Sequence, residues 1–288
     1  MLKILMIKRL FKRGEFFIIA GPNVIESEAH ATFMATELKR IADEANVNLI
    51  FKASYDKANR TSIESYRGPG IEEGLAILSR IKKNIGVPVI TDVHETSQVS
   101  MVSQVVDIIQ VPAFLCRQTE LLKSVAETGL PVHVKKGQFA SANIMLQCVK
   151  KLQHYGAQEI VLCERGTMFG YGDLVVDPRN IEWMKSPNNY VSMDITHCLQ
   201  RPGMCQSDGI VTSGGYRKLI PLMGRVAIAA GVDGIFVEVH DTPDESKCDA
   251  PTQFPLARFP NLLNMLNSFH RYMLTQLNKN DSLNIMEC

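Results

Sequence analysis

The sequence predicts an α/β fold, a single-domain (β/α)8 barrel, on three observations. Eight short runs of β-branched and apolar residues are bounded by turn residues, helical periodicity fills most of the intervals, and every run ends in polar side chains. In order the runs are FFIIA at 16–20, NLIFKAS at 48–54, VPVITDV at 87–93, DIIQVPA at 107–113, PVHVKKG at 131–137, EIVLCERG at 159–166, YVSMDITH at 190–197 and GIFVEVH at 234–240. Between them EAHATFMATELKRIADEA, IEEGLAILSRIKKNIG, TELLKSVAETG and LIPLMGRVAIAAG repeat apolar residues at helical spacing, several closing on a Gly helix stop. Such alternation implies a parallel sheet with helices outside it, and eight repeats in 288 residues suit one closed barrel. No Pro, Gly or Ser linker divides the chain. The barrel is expected over 16–277, between a basic extension at 1–15 and a polar tail at 278–288.

At 45% hydrophobic residues and a net charge of +1, the chain can bury a large core but offers no broad surface for a polyanion, so nucleic acid is not an expected partner. No run approaches the roughly 18–20 apolar residues of a membrane span. MLKILMIKRLFKR holds five cations but no small-residue cleavage site, and is not read as a leader. The seven cysteines are odd in number and form no CxxC pair, which fits reduced thiols and a reducing compartment; Cys198 and Cys248 are read as packing.

Residues at the carboxyl ends of barrel strands converge on one mouth, so polar side chains there call for a function. The ends carry Asn23, Lys52, Asp92, Gln110, Lys135-Lys136, Glu164-Arg165, Asp194 with His197, and Glu238 with His240. Lys52, Lys57, Arg60, Arg117, Lys135 and Arg165 would aim several cations at one cavity, where they repel one another unless anions bind, and their number suits more than one anionic group. Surface ion pairing remains the alternative for any single one of them. His197, Glu238 and Asp249 form a second constellation that could hold a divalent ion or be plain hydrogen-bonded structure. No GxGxxG, Walker A or GxSxG motif is present, and the SGG at 213–215 reads either as an anion-binding turn before a helix or as an ordinary loop.

FKASYDKANRTS, SYRGPGIEEGL, TDVHE, DIIQVPAFLCRQTELL, VKKGQF, ERGTMFGYGDLVVDPRN, DITHCLQ and CDAPTQFPL are specific enough to resemble a known family. Over about 16–260 the chain is similar to the 3-deoxy-D-manno-octulosonate 8-phosphate synthases, which are (β/α)8 barrels. The resemblance implies a cytoplasmic homotetramer that condenses phosphoenolpyruvate with D-arabinose 5-phosphate and water, releasing phosphate, in the synthesis of Kdo. It implies that Lys135 and Arg165 grip the phosphoenolpyruvate phosphate, with Lys52, Gln110, Ala113 and Phe114 completing that pocket. Arg60 and Thr61 would receive the arabinose 5-phosphate phosphoryl group, joined by Arg117 from a neighbouring subunit. Lys57 and Asn59 would contact the sugar near its aldehyde, and Asp92 would fix the reacting ends. Asn23, Lys57 and His197 would stabilise the developing alkoxide, and Asp249 and Glu238 are both candidates for handling water.

Metal-requiring members carry Cys in an AGPC motif, whereas this chain reads Ala20-Gly21-Pro22-Asn23. A carboxamide is a far poorer ligand than thiolate, so no metal and no other cofactor are expected. Departures from the family are Thr61 for Ser, which keeps a hydroxyl, and His133 for Asn and SANIMLQ after Gln138, which the sequence does not explain. The competing readings are a related synthase acting on erythrose 4-phosphate or a non-phosphorylated aminosugar, and a catalytically silent phosphosugar-binding barrel.

Overall fold

The computed structural model describes residues 10–169, 172–207 and 210–277. The wall is eight parallel strands, β1 (Phe17–Val24), β2 (Asn48–Ser54), β3 (Val89–Asp92), β4 (Ile108–Val111), β5 (Val132–Lys135), β6 (Ile160–Glu164), β7 (Tyr190–Asp194) and β8 (Gly234–His240). They pair in sequence order, and β1 pairs with β8 to close the barrel. Helices α1 (Glu28–Glu44), α2 (Ile71–Ile85), α3 (Thr96–Ser103), α4 (Thr119–Ala126), α5 (Ala142–His154), α6 (Arg179–Met184), α7 (Ile220–Ala229) and α8 (Phe259–Leu277) cover the outside. Among the described residues no helix is long and apolar enough to cross a membrane.

Each predicted run coincides with one strand, and the period-2 alternation of strands sorts the side chains. Ile18 and Ala20 face the helical layer, while Phe17 and Ile19 face the barrel axis and meet Ile50, Ile90, Ile108, Val161, Cys163 and Phe236 in the interior. Phe11 closes this floor at 1% exposure, edge-on to Phe17, and Arg13 bonds the main-chain oxygen of Ser186 at 2.7 Å and stacks over Tyr190. Residues 10–15 of the stretch expected as a basic extension therefore contribute a plug to the barrel, while residues 1–9 and the tail at 278–288 lie outside the described residues.

Three details depart from the sequence reading or explain what it left open. The turn expected after residue 20 is instead a continuation of β1, made possible by a register shift against β2 between Ala20 and Asn23, with Asn23 at φ 69°. Asn tolerates that left-handed geometry better than most residues. The SGG at 213–215 does precede a helix, with Tyr216 alone before the 3-10 turn Arg217–Leu219 that runs into α7, but it also ends an unforeseen hairpin, Gln200–Ser207 with Ile210–Gly215, at the mouth; a Cβ at Gly215 would stand 2.1 Å from Thr252 Cγ2. SANIMLQ is a helix start, because Ser141 caps α5 by accepting from Ile144 N.

Candidate active site

The carboxyl ends of the strands open into a cavity of about 580 Å³. That volume lies in the range of small-molecule sites. Lys52, Lys57, Asn59, Arg60, Thr61, Asp92, Gln110, Ala113, Phe114, Lys135, Arg165, His197, Glu238 and Asp249 all line it. Two predicted residues do not. Asn23 is fully buried behind Asp249, and Arg117 is exposed away from this chain's own cavity, so the six cations expected at one mouth reduce to five. Their approach depends on Gly21, where a Cβ would fall 1.8 Å from Lys52 O and force β1 and β2 apart.

The cations occupy two depths. Lys52 and Lys135, 2% and 5% exposed, flank the Phe236 ring at the floor, with Lys135 Nζ 3.1 Å from its centroid. Arg60, Asn59 and Thr61 stand in the loop after β2, nearer solvent. Lys52 Nζ donates to Ser54 Oγ at 2.7 Å and pairs with Asp92 at 3.2 Å, and burial pulls its pKa down to about 8 despite that carboxylate. Asp92 is held well below the usual carboxylate range: burial opposes ionisation, but Lys52, Lys57, His94 and the Ser54 hydroxyl outweigh it.

His133 belongs to the same floor. Gln110 donates its amide to Asp92 Oδ1 at 2.8 Å, so its oxygen must accept, at 3.0 Å, a proton carried on His133 Nδ1; His133 Nε2 then accepts from Ser192 Oγ at 3.1 Å. Burial, helped by the Lys135 charge, keeps this imidazole neutral. The unexplained His133 thus fixes which way the Gln110 amide points, and through it Asp92.

His197 is the hub of the opposite wall. Its Nδ1 meets Asp194 Oδ2 at 2.6 Å, and its Nε2 lies 3.3 Å from Glu238 Oε1 and 3.7 Å from Asp249 Oδ2. Burial disfavours the imidazolium, but Asp194, Glu238 and Asp249 together raise its pKa. Glu238 and Asp249 are driven apart. Burial and the nearby Asp249 raise Glu238 against His197 and Lys57, whereas the His197 bond and charge, with Lys57 and Arg60, overcome burial and hold Asp249 ionised.

His197, Glu238 and Asp249 each offer a ligand atom, all within 4.8 Å of one another. The fourth member of the set does not fit a metal: Asn23 Nδ2 donates to Asp249 Oδ2 at 2.9 Å, turning N–H bonds inward where a cation needs an acceptor. The reverse amide orientation would put its oxygen against the ionised Asp249. Asn23 and Asp249 both hold left-handed backbone, φ 69° and 53°, which marks this contact as one the surrounding structure enforces.

Several lining residues escaped the sequence reading. Asp194 was visible as a strand end but not as the orienter of both Lys135 and His197, which it contacts directly. Gln200, which accepts from Arg165 Nη2 at 3.0 Å, and Ser213 come from the unforeseen hairpin. Cys248, read as packing, in fact lines the cavity with its Sγ 2.7 Å from Arg60 Nη1, and burial first, then Asp249, keeps it a thiol. Lys136, next to Lys135, turns the other way into the wall and does not line this cavity.

A family model described as the DAHP synthetase I family matches residues 12–275. The 2-dehydro-3-deoxyphosphooctonate aldolase of Pisum sativum is 51% identical over 269 residues, 93% of each chain. A protein of that name from Arabidopsis thaliana is 51% identical over 93% of this chain and 92% of its own length, and one from Acidithiobacillus ferrooxidans is 46% identical over 91% and 92%. With a matching barrel, a cation-lined mouth and relatives at this identity, the chain belongs to the DAHP synthetase I family, within its 2-dehydro-3-deoxyphosphooctonate aldolases.

Proposed function

We infer that this protein condenses phosphoenolpyruvate with D-arabinose 5-phosphate and water to give 3-deoxy-D-manno-octulosonate 8-phosphate and inorganic phosphate. The observation that carries this reading is the separation of buried cations at the floor from Arg60, Asn59 and Thr61 nearer the rim, one place for each phosphorylated reactant. Lys135 and Arg165, with Lys52 and Gln110, receive phosphoenolpyruvate; the loop after β2 receives the sugar phosphate, leaving the aldehyde near Lys57. Holding both in contact lowers the barrier by several kcal/mol, about 7–11 in the best oriented cases.

The methylene carbon attacks the aldehyde carbon, forming the new C–C bond as the C=O π bond breaks, and the resulting alkoxide, stabilised by Lys57 and His197 as it develops, takes a proton from the Lys57 ammonium, which the proton later lost by water restores. Water adds to the cationic enol carbon and loses a proton to Glu238, whose raised affinity for protons suits it to accept one, while ionised Asp249 orients the imidazolium. Phosphate then leaves by C–O cleavage. No step is routed through a metal, because His197 carries the local positive charge and Asn23 fixes Asp249 by hydrogen bonding. We place the reaction in the cytoplasm, where the reduced thiols belong. We also place it in a homotetramer, in which Arg117 serves the site of an adjoining subunit; half-exposed Phe114 and Phe139 supply apolar surface for that contact.

The test is phosphate release from phosphoenolpyruvate with either aldose. Turnover with arabinose 5-phosphate and little with erythrose 4-phosphate is expected; the reverse preference, or no release with either, refutes the assignment. Because neutral Lys52 no longer attracts the anion, kcat/KM for phosphoenolpyruvate is expected to fall along an alkaline limb with an apparent pKa of about 8. A flat profile from pH 7 to 9 contradicts that role. Asn23→Cys restores a thiolate beside His197, Glu238 and Asp249, and is expected to bind zinc after reconstitution, measured by metal analysis, without a required gain in rate.

A further inference from the structure

A second group of potential ligands lies outside the catalytic mouth. Glu26 follows β1, His30 sits in the first turn of α1, and His240 ends β8; each offers a ligand atom, all within 4.8 Å of one another. The two imidazole rings lie 4.6 Å apart. His30 Nε2 meets Asp241 Oδ1 at 3.1 Å, which leaves Nδ1 as a buried lone pair with no hydrogen-bond partner. His240, 3% exposed, has Nε2 3.3 Å from Glu26 Oε1 and outside hydrogen-bond alignment. Its Nδ1 accepts from Thr242 N at 3.1 Å and lies 3.0 Å from Asp241 Oδ1.

We propose that Glu26, His30 and His240 bind one zinc-class divalent ion, with Asp241 as the carboxylate behind both imidazoles. Two neutral imidazoles and a carboxylate are a common ligand set for such an ion, and a carboxylate bonded to the far nitrogen is the usual support of a ligating His. His30 already has the required arrangement, Nε2–H on Asp241 and Nδ1 free. His240 reaches it by moving its proton from Nε2 to Nδ1, which exchanges the bond now accepted from Thr242 N for one donated to Asp241 Oδ1. Glu26 and Asp241 bring two negative charges, and among the described residues their ion pairs are with imidazoles, so a dication balances the cluster.

The ion would do structural work. Glu26 Oε1 also accepts from Lys247 N at 2.8 Å, so the site joins β1 and α1 to both ends of the loop that delivers Cys248 and Asp249 to the cavity. Binding therefore stiffens that loop and raises the melting temperature without entering the chemistry.

Metal-stripped protein carrying His197→Gln, which disables the cluster in the mouth, is titrated with Co²⁺ and Zn²⁺. One equivalent per chain is expected, with visible d–d bands for cobalt and a rise in melting temperature for zinc. Adding His30→Gln should weaken binding by about 100-fold or more, and Asp241→Asn by about 10–100-fold. If His197→Gln fails to fold, the otherwise unmodified chain is used, and His30→Gln should remove one equivalent. No binding in the His197→Gln protein, or binding indifferent to His30→Gln, overturns the site. Neither result touches the condensation assay, which reads a different cluster.

Discussion

Lys135→Met is expected to lower kcat/KM for phosphoenolpyruvate by about 10²–10³-fold, the usual cost of truncating one partner of a buried charge contact. Lys135 lies against Asp194 and directly over Phe236, at the floor where the smaller anion is placed. The fold should survive, because Lys135 and Asp194 line the cavity, so the space left opens to water, and Asp194 keeps the backbone N–H groups of Thr196 and His197 at 3.0 and 2.8 Å and the His197 ring. The melting temperature is expected to stay within about 3 °C of the unmodified protein. Steady-state kinetics beside a thermal melt decide it: retained kcat/KM removes Lys135 from the phosphate site.

The adjacent lysine predicts the opposite pattern. Lys136 is fully buried, with its ammonium 3.1–3.3 Å from the main-chain oxygens of Gly137, Ala140 and Gly166, 3.2 Å from Thr167 Oγ1 and 3.4 Å from Glu164. It ties together the segments that follow β5 and β6. Lys136→Met leaves Glu164 and these carbonyls without their cation, which costs about 3–5 kcal/mol for breaking one side of a buried pair. A fall of about 6–10 °C in melting temperature follows, with KM little changed in whatever protein stays folded. Part of the loss should return in the Lys136→Met/Glu164→Gln double variant, since the stranded charge is then gone. A stable Lys136→Met protein with weakened substrate binding would exchange the roles of the two lysines.

This pair also shows where sequence stops being informative. The barrel was legible because its periodicity repeats eight times, and the mouth because strand ends must converge, so the sequence alone brings Lys52, Asp92, Gln110, Lys135 and Glu238 together. Which of Lys135 and Lys136 faces the cavity depends on where β5 ends, a one-residue question that apolar periodicity does not resolve. Arg117 looked like a cavity cation because it follows a strand end, yet the short 3-10 turn Ala113–Leu115 carries the chain past the mouth before reaching it. The hairpin that supplies Gln200 and Ser213 was missed because the SGG at 213–215 reads as an anion-binding turn or an ordinary loop, not as the end of a strand. The role of Asn23 combines both levels: its identity was visible, but its bond to Asp249 requires a register shift and two left-handed residues that only the backbone reveals.

The His197, Asn23 and Asp249 arrangement is expected to support condensation without a metal ion. Phosphate release from phosphoenolpyruvate and arabinose 5-phosphate, measured before and after exhaustive EDTA treatment with metal content checked, tests it most directly. Unchanged turnover in metal-free protein is the predicted result. Turnover abolished by EDTA and restored by a divalent metal would keep the reaction and show that the site works through a metal after all.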